Sequence, residues 1–334
     1  MQQVSNQRII YLDLLRVLAT IGVIVIHVCG RGFYGCLFTS SWYYAVFYHS
    51  LVRWCVPVFF MISGALFLNP KKTVTYKEIL LKYIPRILIV YVFWSIVYYF
   101  LYIYEGTFSI CKLFDSGFHL WFLPMLMAVY LLIPLLRELV LDKNLIRYLL
   151  IVWFVWSVIK MLPVLPSLFV FLYTNDIFGY SGYLILGFVL SQATVSVKQS
   201  RMIYLFSIIG VVITMCGTIL IAFYTKEASE WLFAYLCPNV IVTSVGLFVL
   251  IKTKASKCGK SILRFVNYVR KDLFGVYLVH VIWINTLAPI IYKIGEGPIF
   301  KLVISPIFAV LVFVLSLFTT KLIRLIPLLR KTVE

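Results

Sequence analysis

Charged residues are scarce in this chain. They make up 13% of its 334 residues, with 12 acidic against 30 basic side chains. A soluble domain carries about 25% charged and about 45–50% apolar residues, whereas 63% of this chain is hydrophobic and its mean hydropathy is +1.01. The composition therefore excludes an ordinary soluble enzyme and indicates a protein that crosses a membrane several times.

The sequence also lacks features of several other classes of protein. The seven cysteines form no CxxC pair and no metal-ligand spacing, so we expect neither a redox motif nor a bound metal. The net charge is +18, but no soluble segment combines basic residues with interspersed aromatic ones, as a nucleic-acid-binding domain would. This argues against nucleic acid as a partner. The first apolar run contains charges and exceeds signal-peptide length, so we expect it to be retained.

Long apolar runs are abundant. Ten of them approach the roughly 20 residues that a hydrocarbon core of about 30 Å requires. They cover 10–30, 44–69, 79–104, 119–137, 146–164, 176–192, 202–224, 231–252, 272–292 and 300–324. We predict an all-α, polytopic integral membrane bundle of about ten transmembrane helices, forming one domain over residues 1–334.

The basic residues indicate the orientation of this bundle. Most of the 30 Lys and Arg lie at the N-terminus and in every second connection, above all in 252–271. The positive-inside rule then predicts a multi-pass protein of the plasma (inner) membrane with both termini and the basic 252–271 loop in the cytoplasm. Within this loop, SILRFVNYVRK (261–271) predicts an amphipathic helix on the membrane surface, with its cations toward anionic lipid or an anionic cofactor.

The first apolar run carries ionisable residues on one face. Asp13, Arg16, Thr20, Ile24 and His27 have spacings of 3, 4, 4 and 3, which places them within roughly 80° of one another on an α-helix. Each ionisable group at hydrocarbon depth costs at least roughly 2.5–3.5 kcal/mol. Chance is a poor explanation for three on one stripe, so we interpret this helix as the wall of a functional site.

Motifs along the whole chain resemble those of one family. They are LDLLR (12–16), which ends in Arg16 and is followed by His27, VPVFFMISGALFL (56–68), HLWFLPMLMAVYLLIP (119–134), YLILGFVLS (183–191) and LFGVYLVHVIWI (273–284). In this order they resemble the membrane acyltransferase-3 family, the bacterial enzymes that O-acetylate envelope polysaccharides. The resemblance implies ten helices, cytoplasmic acetyl-CoA as acyl donor, a carbohydrate hydroxyl as acceptor, and essential roles for Arg16 and His27.

One motif departs from the family pattern. The family usually places Arg-x-x-Arg at the inner end of the third helix, where this chain reads LLKYIPRILIVYVFW (80–94). Tyr83 stands at the first arginine position, with Lys82 beside it and Arg86 at the second. Lys82 supplies charge without the bidentate geometry of arginine, so phosphate binding there is expected to be weaker or shared with Lys77.

The chemistry of the residues agrees with this resemblance. Transfer to an alcohol needs a base, and His27 suits that task near neutral pH. It lies 11 residues beyond Arg16, roughly 16 Å along the helix, which suits a donor whose phosphates stay at the inner face. Asp13 can pair with Arg16 and hold its guanidinium, and Lys82 and Arg86 are expected to bind the phosphates of acetyl-CoA.

Three further residues are candidates for the acceptor site: His119 and Trp121 at a membrane entrance, and Arg53 near the outer mouth. Every candidate has a structural alternative. His27 and the Asp13–Arg16 pair can serve helix assembly, Lys82 and Arg86 can follow the positive-inside rule, and aromatic residues commonly anchor membrane interfaces. His280 is expected to serve packing or a helix contact rather than chemistry.

We therefore expect a membrane O-acetyltransferase that acts on an envelope polysaccharide or lipid-linked saccharide, with membrane lipids as its other partners. The main alternative is a polysaccharide or lipid-linked sugar transporter of the same architecture, which should show paired interrupted helices. A membrane sensor or scaffold would not need the polar stripe. The sequence leaves the acceptor, the choice of short acyl group and any homo-oligomer open.

Overall fold

The computed structural model describes residues 9–103, 108–115, 117–161, 177–294 and 298–334, which are almost entirely helical and contain no strand. Its helices are α1 (Ile10–Phe33), α2 (Ser40–Val52), α3 (Cys55–Phe67), α4 (Tyr76–Glu78), a π-helical segment (Ile79–Tyr83), α5 (Ile84–Tyr102), α6 (Ile110–Asp115), α7 (Phe122–Leu131), α8 (Ile133–Leu139), α9 (Lys143–Ile159), α10 (Ile177–Gln192), α11 (Val197–Thr225), α12 (Pro238–Lys254), α13 (Lys260–Val269), α14 (Leu273–Ile294), α15 (Pro298–Leu325) and α16 (Pro327–Arg330).

Seven stretches among the described residues are long and apolar enough to cross a membrane. They are Ile10–Gly30, Ser40–Phe67, Tyr76–Tyr102, Val197–Thr225, Trp231–Lys257, Leu273–Ile291 and Leu302–Leu325. The pair α7 and α8, bent by 50°, is an eighth if it forms one broken span. The predicted class, an all-α polytopic membrane bundle, is confirmed.

The predicted count of ten spans is approximate. Two of the ten correspond to shorter helices, α9 with 17 residues and α10 with 16. The end of the predicted span 146–164 lies outside the described residues. Apolar length alone therefore supports seven to eight spans, and the remaining two predicted runs are helical over fewer residues than a straight crossing needs.

Helix α1 lies at the centre of the bundle. It packs against α2, α3, α14 and α15, and it buries Leu12, Leu15, Ala19 and Ile24 almost completely. Because lipid tails are as apolar as leucine, this burial stabilises the bundle through van der Waals packing between helices. One face of α1 remains open to an internal cavity, because its polar side chains interrupt the apolar packing there.

Glycine allows α3 and α10 to approach each other closely. A Cβ added at Gly64 would collide with the backbone of Leu184, and one added at Gly187 would collide with the backbone of Met61. Small residues let membrane helices make backbone contact of this kind. The glycine content of the sixth apolar run thus serves helix packing beside the cavity.

The basic stretch 252–271 contains the end of α12, one 3₁₀ turn and α13. Helix α13 buries Val266 and Val269 against the bundle and exposes Phe265 and Tyr268. The chain then enters α14 directly, so Arg270 and the residue after it are brought to the end of the bundle where α1 begins.

Candidate functional site

An internal cavity of about 430 Å³ follows the open face of α1; we call it the basic chamber. Arg16, Thr20, Val23 and His27 line it from α1. Ile24, which the sequence analysis placed on the same stripe, is fully buried elsewhere in the hydrophobic core. Further lining comes mainly from apolar and aromatic side chains of α3, α5, α7 and α14, including Phe59, Leu66, Ile87, Leu126 and Phe274.

Basic side chains dominate the end of this chamber near the start of α1. Among the described lining residues, four are basic, namely Arg16, Arg86, Arg270 and Lys271, and one is acidic, Glu334. The Nε atom of Arg270 is buried and makes no hydrogen bond to a described residue. An excess of fixed cations around a concave site favours a polyanionic ligand.

Glu334 is held at this end by several arginines. Arg86 Nε donates to its backbone oxygen at 2.7 Å, and its carboxylate pairs with Arg324 at 3.0 Å and Arg330 at 2.8 Å. Partial burial disfavours the ionised carboxyl of Glu334, but the hydrogen bonds and charges of Arg330 and Arg324 prevail and hold its pKa below the usual value. Glu334 is therefore ionised at neutral pH.

A second cavity of about 610 Å³ lies toward the other end of α1; we call it the distal chamber. Its polar lining includes Tyr34, Arg53, Glu230, Tyr235 and Asn285. Tyr34 donates a hydrogen bond to Glu230, and Arg53 reaches Glu230 at 3.7 Å. The lining thus presents hydroxyl, amide, guanidinium and carboxylate groups together.

Arg53 is fixed on several sides. Its Nη1 donates to the Tyr235 hydroxyl at 3.2 Å, and its guanidinium lies 4.9 Å from the centre of the Tyr235 ring and 5.1 Å from that of Phe233. Trp121 stacks on Tyr235 with 5.9 Å between ring centroids. Aromatic and guanidinium groups therefore form one rigid wall of the distal chamber.

His27 lies where the two chambers meet. Ile26, His27, Trp121 and Tyr235 line both cavities. The imidazole of His27 is half-buried and packs edge-on against Phe118, with 5.0 Å between ring centroids. A group entering from either chamber can thus reach the same side chain.

Two further histidines, from two other parts of the chain, pack near His27. Ring centroids are 6.2 Å apart for His27 and His119, 5.1 Å for His27 and His280, and 5.2 Å for His119 and His280. His280 Nδ1 lies 2.5 Å from the Tyr277 carbonyl oxygen. Within the described part of the chain, no three His, Cys, Asp or Glu side chains have the geometry to hold a metal ion.

The predicted residues on α1 are brought together as expected. Arg16 Nη1 lies 3.0 Å from Asp13 Oδ1, so the predicted pair is confirmed. Thr20 donates to the Arg16 carbonyl oxygen at 2.9 Å. Because α1 is continuous from Ile10 to Phe33, the predicted separation of Arg16 and His27 along it, roughly 16 Å, holds.

The other predicted residues divide between the two chambers. Arg86 lines the basic chamber, Arg53 lines the distal chamber, and Trp121 lines both, whereas His119 is among the lining residues of the basic chamber alone. Lys82 is exposed, lies in the π-helical segment, and is not among the lining residues of the basic chamber. Its role in phosphate binding stays a prediction.

Sequence reasoning missed several residues of the site. Glu230 and Tyr235, which line the distal chamber, are not singled out by the sequence. Arg270 and Lys271 are predicted only as part of an amphipathic surface helix with its cations toward anionic lipid or an anionic cofactor, and the structure places both in the lining of the basic chamber. His280, which is expected to serve packing or a helix contact, packs against His27 and is not among the lining residues of either chamber. The signal available for Arg270 and Lys271 was their position immediately before the ninth apolar run, where a cation at the membrane boundary can face the interior of the bundle.

Comparison with known proteins identifies the family. A family model described as "Acyltransferase domain" (acyltransferase 3) matches residues 9–323, nearly the whole chain. Neither the comparison with curated proteins nor that with solved structures found a match. Since the match spans the bundle and both chambers, the chain belongs to the acyltransferase-3 family and is a membrane acyltransferase.

Proposed function

We propose that this protein transfers an acetyl group from cytoplasmic acetyl-CoA to a hydroxyl of an envelope polysaccharide or lipid-linked saccharide. The observation that carries the proposal is the position of His27, which lines a cation-rich chamber on one side and an aromatic, hydrogen-bonding chamber on the other. A donor in the first chamber and an acceptor in the second meet at this imidazole.

The basic chamber suits the donor. Acetyl-CoA joins a polyanionic nucleotide to a long, weakly polar pantetheine arm that ends in the thioester. Arg16, Arg86, Arg270 and Lys271 supply the cations at one end, and arginine binds phosphate through two parallel hydrogen bonds. The apolar walls between Arg16 and His27 then accommodate the arm. Donor phosphates compete with Glu334 for Arg86, because the Arg86 side chain donates a hydrogen bond to the Glu334 backbone oxygen.

The distal chamber suits a sugar. Its stacked Trp121 and Tyr235 rings offer apolar faces for the C–H groups of a pyranose, while Arg53 and Glu230 offer a donor and an acceptor for hydroxyls. Pockets of 300–1,000 Å³ with a few convergent polar groups are typical small-molecule sites, and the 610 Å³ of this chamber falls in that range.

The proposed reaction is a direct acyl transfer. The acceptor hydroxyl oxygen attacks the thioester carbonyl carbon while His27 takes the hydroxyl proton. The tetrahedral intermediate collapses, the C–S bond breaks, and the proton passes to the leaving sulfur, so that the products are the O-acetyl ester and CoA thiol. A positioned base of this kind contributes about 10²–10⁴-fold to the rate.

A transporter remains the second candidate, because the two chambers meet and together reach toward both ends of α1. Transporters of this kind usually have paired, interrupted helices in corresponding halves. The described helices contain one bent pair, α7 and α8, which favours the enzyme.

Mass spectrometry of envelope glycans tests the proposal. Cells that lack this chain are compared with cells that carry the wild type or His27→Ala, at matched membrane levels of protein. Loss of single-acetyl adducts in both the deletion and the variant supports acetyl transfer. A fall in the amount of surface glycan with unchanged acetylation instead supports transport, and adducts of another mass identify a different acyl donor.

A further inference from the structure

His119 lies beside the junction of the chambers and has an unusual environment. Its side chain lines the basic chamber, and the residue is 2% exposed. Neither ring nitrogen makes a well-formed hydrogen bond to a described residue. The carbonyl oxygen of Leu278 lies beside the ring and accepts a hydrogen bond from the Tyr98 hydroxyl at 2.7 Å. Buried polar groups almost always have partners, so this ring points to a ligand.

The ring is also held in place. Tyr98 packs edge-on against it with 4.8 Å between centroids, and Tyr277 packs against it at 5.6 Å. The Tyr277 hydroxyl donates to the backbone oxygen of His119 at 2.7 Å. Both the ring and its backbone are therefore fixed before any ligand arrives, as a preorganised transition-state contact requires.

The chamber that each histidine lines distinguishes their roles. His27 lines both cavities, so it can reach the acceptor hydroxyl as well as the donor. His119 is found only in the basic chamber, where the donor enters. The strongest hydrogen-bond acceptor at the reacting end of an acyl thioester is its carbonyl oxygen, and this oxygen gains negative charge as the hydroxyl attacks.

We propose that His119 is a second catalytic residue, whose ring N–H donates a hydrogen bond to the thioester carbonyl oxygen and stabilises the oxyanion of the tetrahedral intermediate. The inference rests on the proposed function and changes the role of His119 from acceptor contact to donor activation. The 6.2 Å between the His27 and His119 ring centroids is a contact distance for neighbouring rings, so both imidazoles lie within reach of one acyl group at the junction. His119 transfers no proton, since His27 accepts the hydroxyl proton and the departing sulfur receives it.

The test uses purified protein in lipid nanodiscs with acetyl-CoA labelled with ¹³C at the thioester carbonyl. Isotope-edited infrared spectra report the carbonyl stretch of the bound donor, and hydrolysis without any sugar reports reactivity toward water. His119→Leu should raise the carbonyl frequency, leave the KM for acetyl-CoA unchanged and lower kcat by about 10²–10³-fold. His119→Gln, which keeps an N–H donor, should retain part of the frequency shift and of the rate.

Tyr204→Phe is the matched control, because it removes a hydroxyl that hydrogen-bonds Thr253 at 2.9 Å outside the lining of both chambers. It should keep the wild-type carbonyl frequency. An unchanged carbonyl frequency in His119→Leu overturns the inference. A loss of glycan transfer with normal hydrolysis also overturns it, because His119 would then bind the acceptor. If His119→Leu fails to fold, the frequency in His119→Gln decides. A wild-type protein that binds no acetyl-CoA overturns the proposed function itself.

Discussion

Arg16 binds Asp13 across one turn of α1, with 3.0 Å between Nη1 and Oδ1. The Asp13 side chain is 7% exposed, whereas that of Arg16 is 35% exposed and lines the basic chamber. The carboxylate thus lies behind the guanidinium and directs it into the cavity. This arrangement lets one cation stay charged inside an apolar bundle and still face a ligand.

Replacing Arg16 should damage both stability and donor binding. Arg16→Ala leaves Asp13 without this partner, which should cost about 1–3 kcal/mol, since the charge remains buried. It should also weaken acetyl-CoA binding in purified protein. Arg16→Lys should restore thermal stability more than activity, because lysine supplies charge without the planar fork of arginine. Equal recovery of both would show that charge alone matters.

The cations of the basic chamber should bind the donor phosphates. Arg270→Glu should weaken acetyl-CoA binding, and raising the salt concentration should weaken wild-type binding in the same direction. Isothermal titration of the purified protein measures both. Arg264→Glu is the matched control, because Arg264 is an exposed arginine of α13 outside the chamber lining.

The same comparison distinguishes two positions near the start of α5. Arg86→Glu should reduce affinity, whereas Lys82→Glu should have little effect, since Arg86 lines the basic chamber and Lys82 does not. Equal losses at Lys82 and Arg86 would favour the family-like pair that the sequence suggests. Unchanged affinity in both Arg270→Glu and Arg86→Glu would mean that these residues do not bind the donor and only follow the positive-inside rule.

The features that the sequence predicts well are local. Long apolar runs fix the membrane class, and helical spacing alone places Arg16 and His27 on one face of α1. The ion pair with Asp13 follows from the same geometry, because three residues span nearly one turn. None of these inferences depends on how distant helices are arranged.

The rest of the site depends on contacts between distant segments. His280 reaches His27 from α14, and no periodicity within either helix indicates that contact. The four-residue spacing of Lys82 and Arg86 places them on one face only in a uniform α-helix, whereas Ile79–Tyr83 form a π-helical segment with a wider turn. Glu230 lies in a connection whose path to Arg53 is set by tertiary packing.

The α3–α10 crossing should not tolerate a side chain at its closest point. Gly187→Ala places a methyl group against the Met61 backbone, and overpacking of this kind costs about 1–3 kcal/mol. A lower Tm in detergent should show it. Gly259→Ala is the control, because an added Cβ there meets no atom within 4 Å. Similar losses in both variants would mean that the helices do not make this contact.

The proposed orientation predicts opposite sides for two connections. A single apolar stretch, Trp231–Lys257, separates Lys226 from Lys260. In a background without native cysteines, Lys226→Cys should react with a membrane-impermeant thiol reagent in intact cells, and Lys260→Cys only after permeabilisation. Labelling of both from outside would contradict a membrane crossing between them. Reversed labelling would place the basic chamber on the side without acetyl-CoA.

His27 should be essential for chemistry but not for donor binding. It lies roughly 16 Å along α1 from Arg16, at the junction of the chambers and away from the cations. His27→Ala should therefore insert normally, bind acetyl-CoA with wild-type affinity and lose about 10²–10⁴-fold in transfer rate. Affinity from titration and rate from single-turnover transfer of labelled acetyl groups give the two values separately.

Arg16→Ala provides the comparison for this prediction, because it removes a polar group from the same face of the same helix but at the cation-rich end. It should lose donor affinity, while His27→Ala should not. If His27→Ala weakens acetyl-CoA binding as severely as Arg16→Ala does, the face of α1 is one continuous ligand-binding surface. A base at the junction would then have no support, because substitution of the imidazole would act through binding alone.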